Sequence, residues 1–226
     1  MYLAEDIRLG WGIGTEDIYY LEVIGDIISR FVKNIKIKNE NILFYGYSGG
    51  GFTSIQLATM IKGSFSLVNN CQMFVKNYNQ GFYEDILRYC FNNLDEDIVL
   101  EKYGYRLNVI EMFKKEKYIP PIIYYVNSGS RELINQCIPF IKGLKNLEYN
   151  RDNVEIIIYY NERGHSPLNN ESSKYLIRSN SEILLDENAR FNQVLQLKKL
   201  ERDNLKLSTI LDKKKSNINI QQKKNK

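Results

Sequence analysis

Apolar positions along the chain follow two periods. Four short runs, Ile42–Tyr45, Ser64–Val68, Ile122–Val126 and Asn153–Tyr160, are dense in apolar and aromatic residues and bounded by turn residues. Runs of this length and composition predict buried strands. Between them, apolar residues recur every three or four positions, the period of a helix with one buried face. Ile18, Leu21, Ile24, Ile28 and Phe31 share such a face in a helix that Thr15 caps, with Glu16 and Asp17 in its first turn, and that ends near Lys36. Ile55, Leu57, Ala58 and Ile61 mark a second helix. One long helical stretch is expected from Asn79 to Tyr118, carrying Phe82, Ile86 and Cys90, then Leu107, Ile110 and Phe113, until Pro120-Pro121 breaks it. Leu133, Ile134, Cys137, Ile138 and Ile141 mark a further helix, and another starts near Glu171. Strands separated by helices predict an α/β fold: a parallel sheet flanked by helices on both faces.

The first strand leads into the segment richest in chemistry. Gly46, Gly49, Gly50 and Gly51 crowd around Ser48, between the strand and the helix of Ile55. A serine on so tight a turn sits in strained backbone, so small residues are expected two before it and two after it. The turn lifts Ser48 Oγ out at the carboxyl end of the sheet. It also aims the Gly49 N–H and the helix amino end at any oxyanion formed there. A phosphate loop would place a lysine before the Ser or Thr, and a dinucleotide fingerprint would space its glycines as G-x-G-x-x-G. Neither is present, so no cofactor is expected. The only histidine, His165, falls in the turn after the last predicted strand, where it is a candidate base for Ser48.

Gly46-x-Ser48-x-Gly50 between a strand and a helix, with His165 downstream, resembles the α/β-hydrolase superfamily from about Leu9 to Asn170. The resemblance implies a truncated α/β-hydrolase-like parallel sheet with a nucleophile, an acid and a histidine in that order. The acid would follow the strand before the histidine loop, but Asn127-Ser-Gly-Ser130-Arg131 contains no Asp. Glu132 is the first carboxylate there, and Asn127 is the alternative partner for the ring. The second oxyanion donor would come from Trp11 or Gly12, in the glycine-rich Leu9–Gly14 loop, unless that loop only packs Trp11 under the sheet.

The Trp11-Gly-Ile-Gly loop, the elbow and Gly164-His-Ser-Pro167 together are similar to hydrolase-like proteins encoded with bacterial surface-polysaccharide genes. That similarity implies a serine hydrolase, esterase or acyltransferase acting on a small-molecule or glycan ester. A catalytically inactive scaffold in polysaccharide biosynthesis is the alternative. In the first reading, Tyr83, Tyr89, Tyr103 and Tyr105 of the helical insert form a lid that stacks on sugars; otherwise they cover the sheet.

Composition adds limits. The 226 residues are 43% apolar with a net charge of +4. Most of that charge lies after Leu211, where six lysines face one acid, Asp212. The body is close to neutral and shows no nucleic-acid footprint. Cys71, Cys90 and Cys137 sit in apolar surroundings without metal-ligand spacing, so no metal is expected and a cytoplasmic setting is. The first eight residues are too polar for a signal peptide, and no apolar run spans a bilayer. The expected domains are residues 1–185, hydrolase-like with an insert at about 75–118; residues 186–211, a polar helix or short coiled coil through Leu197, Leu200, Leu207 and Leu211; and residues 212–226, a basic disordered tail. No strand is legible before Ile42. The expected partners are therefore a copy of the chain through the C-terminal helix, or a chain that supplies missing strands; alternatively, Met1 lies inside a longer ancestral domain.

Overall fold

All four apolar runs are strands of one parallel sheet in a computed structural model that describes residues 10–149 and 151–185. In chain order the elements are α1 (Tyr20–Asn34), β1 (Leu43–Tyr47), α2 (Gly49–Met60), β2 (Phe65–Asn69), α3 (Gln80–Cys90), α4 (Glu96–Tyr103), α5 (Val109–Glu116), β3 (Ile122–Asn127), α6 (Ile138–Lys145), β4 (Val154–Tyr159) and α7 (Asn170–Leu185). The strands lie in sequence order, β1-β2-β3-β4, with Leu43 beside Phe65, Ser66 beside Ile122 and Ile122 beside Val154. Ile122, Tyr124 and Val126 point to one face and pack with Ile55 of α2, Phe113 of α5 and Phe140 of α6. Alternation sends Tyr125, Ile157 and Tyr159 to the other face, where they line a groove with Leu168 and Tyr175. The three cysteines are buried and free.

Three expectations need correction. First, α1 begins at Tyr20, not beside Thr15. Thr15 and Ile18 instead close a turn, with Thr15 N–H donating to Ile18 O at 2.9 Å. Gly14 makes this possible: it sits at φ +83°, and a Cβ there would overlap the Ile18 carbonyl. The buried face of α1 is Leu21, Gly25 and Val32, while Ile18, Ile24 and Phe31 are exposed, Phe31 by 61%. The helix turns its smallest residue, Gly25, toward Leu57 of α2, which rotates the apolar stripe outward.

Second, the stretch from Asn79 to Tyr118 is three helices. Asn79, Asp95 and Asn108 each accept a backbone N–H at the start of α3, α4 and α5. Asn92 and Asn93 take left-handed backbone between α3 and α4. Short polar side chains that bond their own backbone break a helical period that apolar spacing alone would continue.

Third, Tyr83, Tyr103 and Tyr105 of the insert pack onto the core, while Tyr89 is half-buried beside Arg88. Tyr83 lies in the core, and the Tyr103 and Tyr105 rings lie 4.8 and 5.6 Å from the Arg106 guanidinium. Arg106 is buried and donates from Nη1 to Thr15 O at 2.7 Å, fastening the insert to the loop that holds Trp11. Arg106→Met keeps the stem but orphans that carbonyl. Chemical denaturation is expected to show about 2 kcal/mol less stability, the range of a charged hydrogen bond.

Among the described residues no strand precedes Leu43, and β1 forms one edge of the sheet. The unit that carries the sheet runs from Met1 to Ile177, and a second unit begins at Arg178. The helix expected over 186–211 and the tail over 212–226 lie outside the described residues. No helix among the described residues is long and apolar enough to cross a membrane.

Candidate active site

The turn from β1 to α2 is one residue long. Ser48 occupies it alone, at φ 55° and ψ −124°. Only a closely packed surrounding holds a serine in this sparsely populated backbone. Gly46 supplies that closeness, since a Cβ there would overlap the Gly50 carbonyl and lie 2.5 Å from Ser54 Oγ. The expected need for a small residue two positions after Ser48 does not hold: a Cβ on Gly50 would meet nothing within 4 Å. What crowds the turn is the Gly50 main chain, which any residue carries. Gly51 does need to be small, because its Cβ would approach Cys71 Sγ at 2.9 Å. Gly49 opens α2, so its N–H has no acceptor within the helix and points out of its positive end.

His165 reaches Ser48 from the loop after β4, with Nε2 3.0 Å from Oγ. Tyr47 holds the loop by donating its hydroxyl to His165 O at 2.9 Å, and its ring centroid lies 5.0 Å from the imidazole. Burial and then the nearby Glu132 carboxylate push the Tyr47 phenol up to about 12, so it stays a neutral donor. On the far side of the ring, Nδ1 lies 3.0 Å from Glu132 Oε1, an ion-pair contact whose angle falls short of a hydrogen bond in this conformation. Glu132 is 1% exposed and also accepts the Ser130 hydroxyl. Burial pushes its carboxyl up, but the adjacent His165 ring and the Ser130 hydroxyl outweigh that and hold it below its usual value. A carboxylate on Nδ1 keeps the proton there and leaves Nε2 free to accept.

Asn127 does not bond the ring. Its Nδ2 donates to Asn161 O at 2.7 Å and to Gly164 O at 2.8 Å, and its Oδ1 accepts the Asn161 N–H at 2.8 Å. It clamps the backbone that carries His165.

Comparison with solved structures bears on the fold. The capsule O-acetyltransferase of Neisseria meningitidis serogroup A, solved with CoA, matches with a TM-score of 0.53 at 13% identity, over 76% of this chain and 69% of that one. An S-formylglutathione hydrolase from Agrobacterium tumefaciens matches at 0.52 and 12% identity, over 80% and 62%. Porphyromonas gingivalis dipeptidyl peptidase 4 matches at 0.51 and 13%, over 76% of this chain but 23% of its own length. The chain has a truncated α/β-hydrolase-like fold. At these identities the likeness is one of fold alone, and the chain spans between a quarter and about two thirds of these proteins. No family profile and no curated protein matches the sequence.

Within this hydrolase fold, the first loop touches the serine indirectly. Trp11 is buried, and its Nε1–H donates to Gln72 Oε1 at 2.6 Å. Gln72 Nε2 in turn donates to Ser48 Oγ at 2.8 Å. Gly12 packs on Leu21, and its carbonyl accepts the Leu21 N–H. Trp11 thus packs in the core, as the second reading of the loop expected, and its indole N–H points along a chain of side chains to the nucleophile. Gln72, Ser130 and Tyr47 were missed by sequence reasoning. Gln72 had a legible signal, because Asn69-Asn70-Cys71-Gln72 is a polar cluster at the carboxyl end of a parallel strand, where sites of open α/β sheets lie.

Proposed function

We propose that this protein is a serine hydrolase or acyltransferase that forms an acyl-enzyme on Ser48. The observation that carries the reading is the unbroken line of Glu132, His165 and Ser48, each contact at 3.0 Å. His165 Nε2 takes the hydroxyl proton as Oγ bonds to the carbonyl carbon of an ester. The carbonyl electron pair moves to its oxygen, which faces the Gly49 N–H. Collapse expels the alkoxide, which receives the proton from His165. A water or a sugar hydroxyl then repeats the sequence and leaves with the acyl group. The carboxylate on Nδ1 stabilises the imidazolium that forms at each stage.

The likeness to a capsule O-acetyltransferase supports a surface-glycan ester or a sugar hydroxyl as substrate. The Glu132–His165 contact weighs against one ground of the inactive-scaffold reading, the doubtful acid. It does not bear on the other two, the short front end and the expected C-terminal coiled coil.

A fluorophosphonate probe tests this. Covalent labelling of Ser48, located by peptide mass spectrometry and absent in Ser48→Ala, is the expected result. A folded, monodisperse protein that takes no label overturns the proposal.

A further inference from the structure

Among the described residues, two side chains hydrogen-bond Ser48 Oγ: His165 and Gln72. Gln72 is fully buried on the loop after β2, and its own backbone N–H reaches Ser48 O at 3.3 Å. The orientation of its amide is fixed. An indole N–H only donates, so the atom that meets Trp11 is Oε1, and Nε2 is turned to the serine. Buried polar groups are held to their partners because no water replaces them, so this chain from Trp11 to Ser48 is stiff.

We propose that the Gln72 side-chain amide is the second oxyanion donor beside the Gly49 N–H, with Trp11 as the residue that orients it. The inference rests on the acyl-enzyme reading. In the resting site the Ser48 proton is directed at His165, and Oγ accepts from Gln72. On attack, an Oγ lone pair becomes the new bond to the carbonyl carbon, and the carbonyl π pair moves onto the substrate oxygen. That oxygen is bonded to the same carbon as Oγ. The Nε2–H that met a neutral hydroxyl oxygen then finds a full negative charge beside it, a stronger partner than the one it leaves. A bond that strengthens as the reaction proceeds lowers the barrier without tightening substrate binding. The donor thus comes from a side chain at the end of β2, where sequence reasoning had looked to the first loop's backbone.

The test uses the whole chain, with 4-nitrophenyl acetate as ester and phenylboronic acid as a mimic of the tetrahedral adduct. Gln72→Met keeps the volume and removes the donor. Its kcat is expected to fall about 10²-fold, the loss typical of one oxyanion donor, with KM nearly unchanged and the boronate bound more weakly by a similar factor. Trp11→Phe leaves the amide in place but free to turn, and about a tenfold fall in kcat alone is expected, a smaller fraction of the same loss. A Gln72→Met enzyme with wild-type kcat, or one changed only in KM, overturns the inference. If Gln72→Met does not fold, Trp11→Phe decides, and an unchanged kcat there overturns it. Should the wild type neither take the fluorophosphonate nor cleave the ester, the acyl-enzyme reading fails and this one with it. A wild type that reacts beside an unaffected Gln72→Met fails this inference alone.

Discussion

Ester cleavage by the His165→Ala variant is expected to be about 10⁶-fold slower in kcat than by the parent, and by Glu132→Gln about 10⁴-fold slower. A serine hydroxyl is a poor nucleophile at neutral pH, and His165 is the base in contact with it, at 3.0 Å. Glu132 acts through the ring. With Gln in its place, Nδ1 faces an amide able to donate as well as accept, so the tautomer with Nε2 as acceptor loses its advantage. The double variant is expected to lose no more than His165→Ala, because the carboxylate has no route to Ser48 except the imidazole. Steady-state kinetics on the three variants checks both points, and strict additivity of the two losses would contradict the line.

The same carboxyl makes a statement about pH. Burial raises its pKa, but the neighbouring His165 ring and the Ser130 hydroxyl win, and the folded value lies below the ordinary one. A carboxyl depressed on folding contributes stability that is fully present above its unfolded value, near 4.3, and is lost as pH falls through the folded value. Melting temperature followed downward from neutral pH is expected to be flat until the carboxylate range and then to fall. Glu132→Gln is expected to lose part of that acid-side fall.

How much of this was legible depended on the range of the interactions. The four strands were readable because each run is dense in apolar and aromatic residues, although only the central β2 and β3 are largely buried. The edge strands β1 and β4, expected to be buried too, keep most of their side chains half-exposed, because no strand among the described residues covers their outer edges. The elbow was readable because a one-residue turn between strand and helix demands a residue as small as Gly46 two positions before Ser48. His165 was found by position after the last strand, and Glu132 by being the first carboxylate after β3. What sequence missed is set by partners distant in the chain. The buried side of α1 depends on Gly25 meeting Leu57 of α2, not on its own apolar stripe. Arg106 meets Thr15 across 91 positions. Gln72 is defined by Trp11 on one side and Ser48 on the other, separated from it by 61 and 24 positions. The break in the long helix was local and still missed, because the Asn and Asp caps at its joints interrupt a period that the apolar residues alone continue.

The two glycines that flank the nucleophile are expected to differ sharply. Gly46→Ala is expected to lower stability by about 3 kcal/mol or to prevent folding, at or beyond the upper end of what overpacking costs. A methyl at Gly46 overlaps the carbonyl of Gly50 and approaches Ser54 Oγ at 2.5 Å. The first obstacle is main chain, in the opening turn of α2, and cannot move without tilting the helix whose amino end faces the oxyanion. Any variant that does fold is expected to carry Ser48 off its present φ of 55° and to take the phosphonate slowly or not at all. Gly50→Ala is expected to behave in the opposite way. It lies in the first turn of α2, is exposed, and offers its Cβ open space. Alanine relieves the backbone freedom that glycine loses in a helix, so stability is expected to be unchanged or about 0.5 kcal/mol higher, with labelling intact. Denaturant melts and probe kinetics on the two variants decide the matter. Equal damage from both would mean that the motif's spacing reflects conformational freedom at each glycine, not the single contact between Gly46 and the main chain of Gly50.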